Sequence, residues 1–134
     1  VTRRSDRRGT TAAEFAIAIS VVLLLTFAVI DLGRLYFYQH ALDYGVEKAS
    51  RYAVVNSASA TATTVKSQFV AALTPAVGAG NASAASVSVS FSPATAQVGG
   101  TVTVSATLAW SAVSALDFLP GLTLSSSHTL IILH

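Results

Sequence analysis

Sixteen consecutive residues without a charge, Phe15 to Ile30 (FAIAISVVLLLTFAVI), constrain this chain more than any other feature. As an α-helix they rise about 24 Å, against a bilayer hydrocarbon core of roughly 30 Å. Ala12 and Ala13 before the run, and Leu32 and Leu35 after it, extend the apolar surface far enough to span. Tyr36 and Tyr38 suit the far interface, where a ring can sit with one end apolar and the other wet.

Three structures could use such a segment: a buried core helix, a secretory signal peptide or a retained membrane helix. A core helix apolar on every side for more than four turns needs a larger domain around it than the remaining residues supply. A signal peptide needs a small-residue cleavage site near the end of its apolar region, and Ala28-Val-Ile30 leads into Asp31-Leu-Gly-Arg34 without one. The retained helix fits best. Arg3, Arg4, Arg7 and Arg8 stand before the run against Asp6 alone, and a basic cluster at one end of a span stays in the cytoplasm. The expected arrangement is a single pass through the inner membrane, with the N-terminus cytoplasmic and the remainder periplasmic or extracellular.

That same cluster carries most of the basic excess. From Thr10 onward Arg34, Lys48, Arg51 and Lys66 face five acids, so no folded face is positive enough to hold nucleic acid. The chain has no cysteine, which excludes disulfides, thiolate metal sites and thiol nucleophiles.

The stretch Arg7-Arg8-Gly9-Thr10-Thr11-Ala12-Ala13-Glu14-Phe15 places an acid at the edge of the apolar helix. One reading is local: Thr11-Ala-Ala-Glu14 has the form of a capping box, with Thr11 as N-cap and Glu14 reaching back to a free amide. The macrodipole also favours a carboxylate there. The other reading is a resemblance. A short basic segment, then Gly9, then an acid five residues on and an aromatic after it resembles a type IV pilin-like leader of the class III kind. The resemblance implies cleavage between Gly9 and Thr10 by a prepilin peptidase, and a role for Glu14 and Phe15 in pairing with neighbouring subunits during assembly.

The likeness continues through RRGTTAAEFAIAISVVLLLTFAVIDLGRLYFYQHAL and VEKASRYAVV, which together resemble the TadE-like family of minor pilins or pseudopilins of tight-adherence (Tad, Flp) pilus systems. It rests on the ensemble: the glycine leader, Glu14 with Phe15, the apolar span, the exit motif Asp31-Leu-Gly33-Arg34, and Arg51-Tyr52. It covers roughly the first 55 residues. The resemblance implies partners in the membrane and in other pilin or pseudopilin subunits, met through the N-terminal helix, and a location in the membrane or in the pilus itself.

Past the membrane, Leu32, Leu35, Leu42, Val46, Ala49 and Ala53 keep a helical apolar stripe, so the helix should continue to about Val55. Asp31 with Arg34 and Glu47 with Arg51 stand one turn apart on it. Asn56 to Thr63 reads as a small polar linker, Val65, Phe69 and Leu73 as one side of a short helix ending before Pro75, and Gly78 to Ala85 as a loop. Val87, Val89 and Phe91 alternate with serines; Val102, Val104, Ala106, Leu108 and Trp110 alternate mostly with Ser and Thr. These are two strands, joined through Gly99-Gly100 by a loop longer than the tightest hairpins. Residues 129–134 supply a third strand. The expected class is α+β and pilin-like: a leader at 1–9, a transmembrane helix at 10–32, a helical stalk at 33–55 and a small head at 56–134 with a short helix and about three antiparallel strands. Trp110 is expected to anchor the sheet face.

Chemistry for catalysis is sparse. The distal region offers only Asp117 among acids and Lys66 among basic side chains, His40, His128 and His134 have no paired ligand spacing, and no Gly-x-Ser-x-Gly elbow or phosphate-cradling loop occurs. No enzyme activity, cofactor, metal or small-molecule substrate is expected. The alternative to a pilus subunit is an uncleaved membrane-anchored adhesin whose Ser/Thr-rich head meets a surface.

Overall fold

The computed structural model describes residues 6–94, 97–112 and 121–133, with side chains from Gly9 onward. Arg3, Arg4, Asp117 and His134 therefore lie outside the described residues. The elements in chain order are α1 (Asp6–Val55), α2 (Ala62–Val77), α3 (Ala79–Ala84), β1 (Ser86–Ser92), β2 (Thr101–Trp110) and β3 (Leu122–Ile131). The class is α+β.

α1 is one unbroken helix that ends where the apolar stripe ends. It begins before Thr11, which is therefore an interior residue and not the N-cap that the capping-box pattern suggested. The helical backbone passes straight through Gly9 and Thr10. A true capping box occurs at the start of α2. Thr61 has extended backbone geometry, its hydroxyl accepts from the Thr64 amide at 3.2 Å, and its own amide donates to Thr64 Oγ1 at 2.9 Å. The Asn56 to Thr63 linker is thus shorter than expected, being a tight turn followed directly by this cap.

α2 does not stop before Pro75 but runs to Val77. Proline lacks an amide, so it forfeits one bond to the carbonyl a turn earlier; in a last turn that loss is small beside the burial of Val77. Gly78 then takes φ +83°, a conformation that side chains with a Cβ avoid, and its amide caps Thr74 O at 2.9 Å. The expected loop at Gly78 to Ala85 contains the six-residue α3, whose Ala82 is fully buried. Asn81 uses its side-chain nitrogen to bond Val77 O at 2.9 Å.

The three strands form one antiparallel sheet in the order β1-β2-β3. Val87 pairs with Ala106, Val89 with Val104 and Phe91 with Val102; across the other edge Val104 pairs with His128 and Trp110 with Leu122. The third strand exists but runs from Leu122 to Ile131, starting seven residues and ending three residues earlier than the sequence suggested. The inward face is apolar on β1 and β2 and includes Ser126 and His128 on β3, and the outward face carries hydroxyls, with Thr103 and Thr129 at 2.9 Å and Ser105 and Ser127 at 2.8 Å across the β2-β3 ladder.

α1 and α2 pack side by side beneath the sheet, α1 against β2 and β3 and α2 against β1. The core joins Leu42, Val46, Ala49 and Ala53 of α1 to Val65, Phe69 and Leu73 of α2 and to Val102, Val104, Ala106, Leu108 and Trp110 of β2. Trp110 is buried there, as a sheet-face anchor should be. Leu32 drops out of the expected stripe and is exposed; packing against the core begins at Leu35. Phe91 and Ala94 lie beside the turn after α1, so the Trp110–Leu122 rung occupies the opposite end of the sheet, toward the apolar part of α1.

Candidate assembly helix

The residues singled out in the sequence all lie on α1, and they divide into two groups by what surrounds them. Gly9, Thr10, Glu14 and Phe15 belong to a stretch exposed on every side; Phe15 is 67% exposed, and a Cβ at Gly9 would meet nothing within 4 Å. From Val21 through Ile30 the large apolar side chains are likewise uncovered. The helix is long enough and apolar enough to cross a membrane, with a mean hydropathy of 2.6 in its most apolar window and 6% of that window buried. A soluble core helix of the same composition would be mostly buried. This one fits a single-pass membrane anchor.

Polar groups inside the anchor are handled locally. Ser20 Oγ donates to Ala16 O and Thr26 Oγ1 to Val22 O, each at 2.8 Å, so neither hydroxyl needs water at membrane depth. Ala12, Ala16 and Ser20 recur at intervals of four and place small side chains on one side of the helix, a pattern that lets another helix backbone approach closely. Glu14 projects from the opposite side, about 160° round the helix from Ala16.

The second group starts abruptly. Ile30 is 51% exposed and the next residue, Asp31, is 7% exposed. Asp31 Oδ1 lies 3.6 Å from Arg34 Nη1, and the Arg34 guanidinium sits 5.8 Å above the Tyr38 ring. Gly33 has open space where a Cβ would point, so nothing within the described molecule requires a glycine there. About one turn from the end of α1, Arg51 pairs with Glu47 on an exposed face. Tyr52 is half-buried against the core, and its carbonyl accepts the Asn56 amide at 3.0 Å as the helix closes. The chain brings Asp31 and Arg34 together, and Glu47 and Arg51; it does not bring the Glu14 group near either pair.

Over the described residues, α1 from Gly9 to Arg51 matches the family model for TadE-like proteins. Residues 9–51 are similar to that family. The match takes in the exposed anchor, the Asp31–Arg34 pair and most of the covered half of α1, and leaves α2, α3 and the sheet outside it. No curated protein matches the chain, and no solved structure matches it.

Three contacts that position the TadE-like segment were not visible as sequence motifs. Gln39 Nε2 donates to Ser125 O at 3.1 Å, tying α1 to β3 across 86 residues. Ser50 is fully buried and returns its hydroxyl to Val46 O at 2.7 Å. At Gly45 a Cβ would stand 3.1 Å from Phe69 Cε2, so the α1-α2 approach depends on the missing side chain. A glycine in the middle of a helix otherwise costs about 1 kcal/mol relative to alanine, and that anomaly was the available signal. Among the described residues no group of three or more His, Cys, Asp or Glu gathers into a metal site. His40 stacks edge-on against Tyr36 at 4.3 Å, and His128 faces inward from β3.

Proposed function

We propose that this chain is a minor pilin or pseudopilin of a Tad pilus system, a structural subunit that acts by side-by-side packing of its N-terminal helix. The observation that carries the reading is the coincidence on one helix of the TadE-like match, the uncovered apolar surface and the leader pattern at Gly9 and Glu14. Lipid tails compete on equal terms for apolar side chains, so helix association in a membrane relies on close approach and polar pairing. Ala12, Ala16 and Ser20 offer the first, and Glu14 the second.

In this reading a prepilin peptidase cuts after Gly9 and leaves an ammonium on Thr10. In low-dielectric surroundings an unpaired ammonium or carboxylate is costly, and the Glu14 carboxylate of one subunit is neutralised by the Thr10 terminus of the next. The basic segment keeps the N-terminus cytoplasmic before cleavage, and the head stands on the far side of the membrane. Gly33 and the Asp31–Arg34 pair mark the exit from the bilayer, and the Arg51–Tyr52 end of α1 belongs to the head.

Intact mass and N-terminal sequencing of membrane-extracted protein, with and without the cognate prepilin peptidase, test the route. A mature chain starting at Thr10 only when the peptidase is present is expected. Persistence of the arginine segment under both conditions would overturn it and favour a permanently anchored binding module. Glu14→Ala is then expected to leave cleavage intact and to abolish incorporation into pili, scored by shearing and immunoblotting.

A further inference from the structure

The uncovered part of α1 is only as long as a bilayer is thick. Between Arg8 and Asp31 lie the 22 residues 9–30, a rise of about 33 Å against a hydrocarbon core of roughly 30 Å. The span cannot slide toward the N-terminus without drawing Glu14 and the arginines deeper, nor toward the C-terminus without drawing in Asp31 and Arg34. Its upper boundary is therefore Ile30, and the very next residue is buried. Packing against the core begins at Leu35, so only residues 31–34, about 6 Å of helix, separate the bilayer from the folded head.

The headgroup layer on each side of the core is about 5 to 7 Å deep, four or five helical residues. That depth holds Asp31 to Leu35. The sheet descends to the same level: Gln39 meets Ser125 at 3.1 Å, and Leu122, three residues further down β3, sits about 10 Å closer to the bilayer, opposite Trp110. Around this end Tyr36 is 68% and Phe37 54% exposed, and Arg34 is partly open to solvent. Aromatic rings with a polar rim next to a membrane span are the side chains that partition into the interface.

We propose that the lower end of the head is a lipid-binding footprint, formed by Arg34, Tyr36 and Phe37 of α1 with the buried Trp110 of the Trp110–Leu122 rung behind them, and that it rests on the phospholipid headgroup layer. The inference rests on α1 being the membrane anchor. One cation and one anion, Arg34 and Asp31, offset each other within the footprint, so contact with zwitterionic lipid is sufficient and anionic lipid is not required.

Trp110 is the chain's single tryptophan and reports this end of the head. The full chain is reconstituted into phosphatidylcholine vesicles carrying a headgroup nitroxide, and both flotation and tryptophan emission are read. A second form carries seven polar helix-forming residues inserted after Ile30, which raise the head by about 10 Å while turning it by only about 20°. The expected result is roughly halved emission in the parent, recovery to the unquenched level in the insertion form, and the same values when anionic lipid is added. Protein that floats with the vesicles but is quenched equally little in both forms would overturn the seating and leave the anchor intact. Protein that fails to float would overturn the anchor and the seating together.

Discussion

The two halves of α1 are one helix with a single geometry, yet they follow opposite rules. From Gly9 to Ile30 the apolar residues surround the axis and no described element covers them, whereas from Leu35 to Ala53 they form a stripe whose members are buried against α2 and the sheet. The polar groups differ in the same way. Ser20 and Thr26 fold back onto their own helix, as Ser50 does in the covered half, but among the described residues only the covered half adds a bond to another element, through Gln39. A helix segment that is apolar all round needs a solvent that is itself apolar, and a striped one needs a partner with a matching face. Backbone conformation is common to both halves; the environment each requires is written in the side chains.

Equivalent deletions in the two halves break or sharpen that contrast. Phe69→Ala removes the ring that fills the α1-α2 contact, and a loss of about 3 to 5 kcal/mol of head stability is expected in urea titrations of detergent-solubilised protein. Leu42→Ala should cost about 2 to 5 kcal/mol by the same measurement, and Leu24→Ala, an equal deletion in the uncovered half, should leave the midpoint unchanged. Equal losses from Leu42→Ala and Leu24→Ala would mean that the halves do not differ as described. Thr61→Ala removes the α2 cap and is expected to cost about 1 kcal/mol. Gly45→Ala sets a helix-propensity gain of about 1 kcal/mol against a Cβ pressed on Phe69, and a small net loss is expected that turns into a gain when Phe69→Leu is added. Smallest of all, Arg51→Ala breaks an exposed pair one turn apart and should shift stability by less than about 0.5 kcal/mol.

How far the sequence could be read follows from which interactions are local. The end of α1 at Val55 and the alternation of β1 and β2 were legible because each is set by periodicity within one element. β3 was placed too late since its inward positions include Ser126 and His128, so its own pattern is weak and its start is set by pairing with β2. α3 was read as a loop because Gly80 and Asn81 favour one; burial of Ala82 and the Asn81 bond to Val77 hold it in a helix. Pro75 is a stop signal by residue type, yet it lies two residues inside the end of α2, where its missing amide costs little. The pattern at Gly9, Glu14 and Phe15, which carries the proposed leader and pairing site, is contiguous and so can be seen in the sequence alone. Gln39 with Ser125 was not, because neither residue type nor spacing announces a bond between elements so far apart in the chain.

The absence of any break in α1 between Asp6 and Val55 makes the helix a rigid lever whose pivot lies in the bilayer. From Ile30 to Val55 the outer arm is about 37 Å long, and membrane helices commonly tilt by about 20°, so an ordinary tilt sweeps the far tip of the head sideways by about 13 Å. If the proposed side-by-side packing occurs, a packing event among the inner halves of neighbouring helices becomes a displacement of whole head domains, with no joint along the way to absorb it.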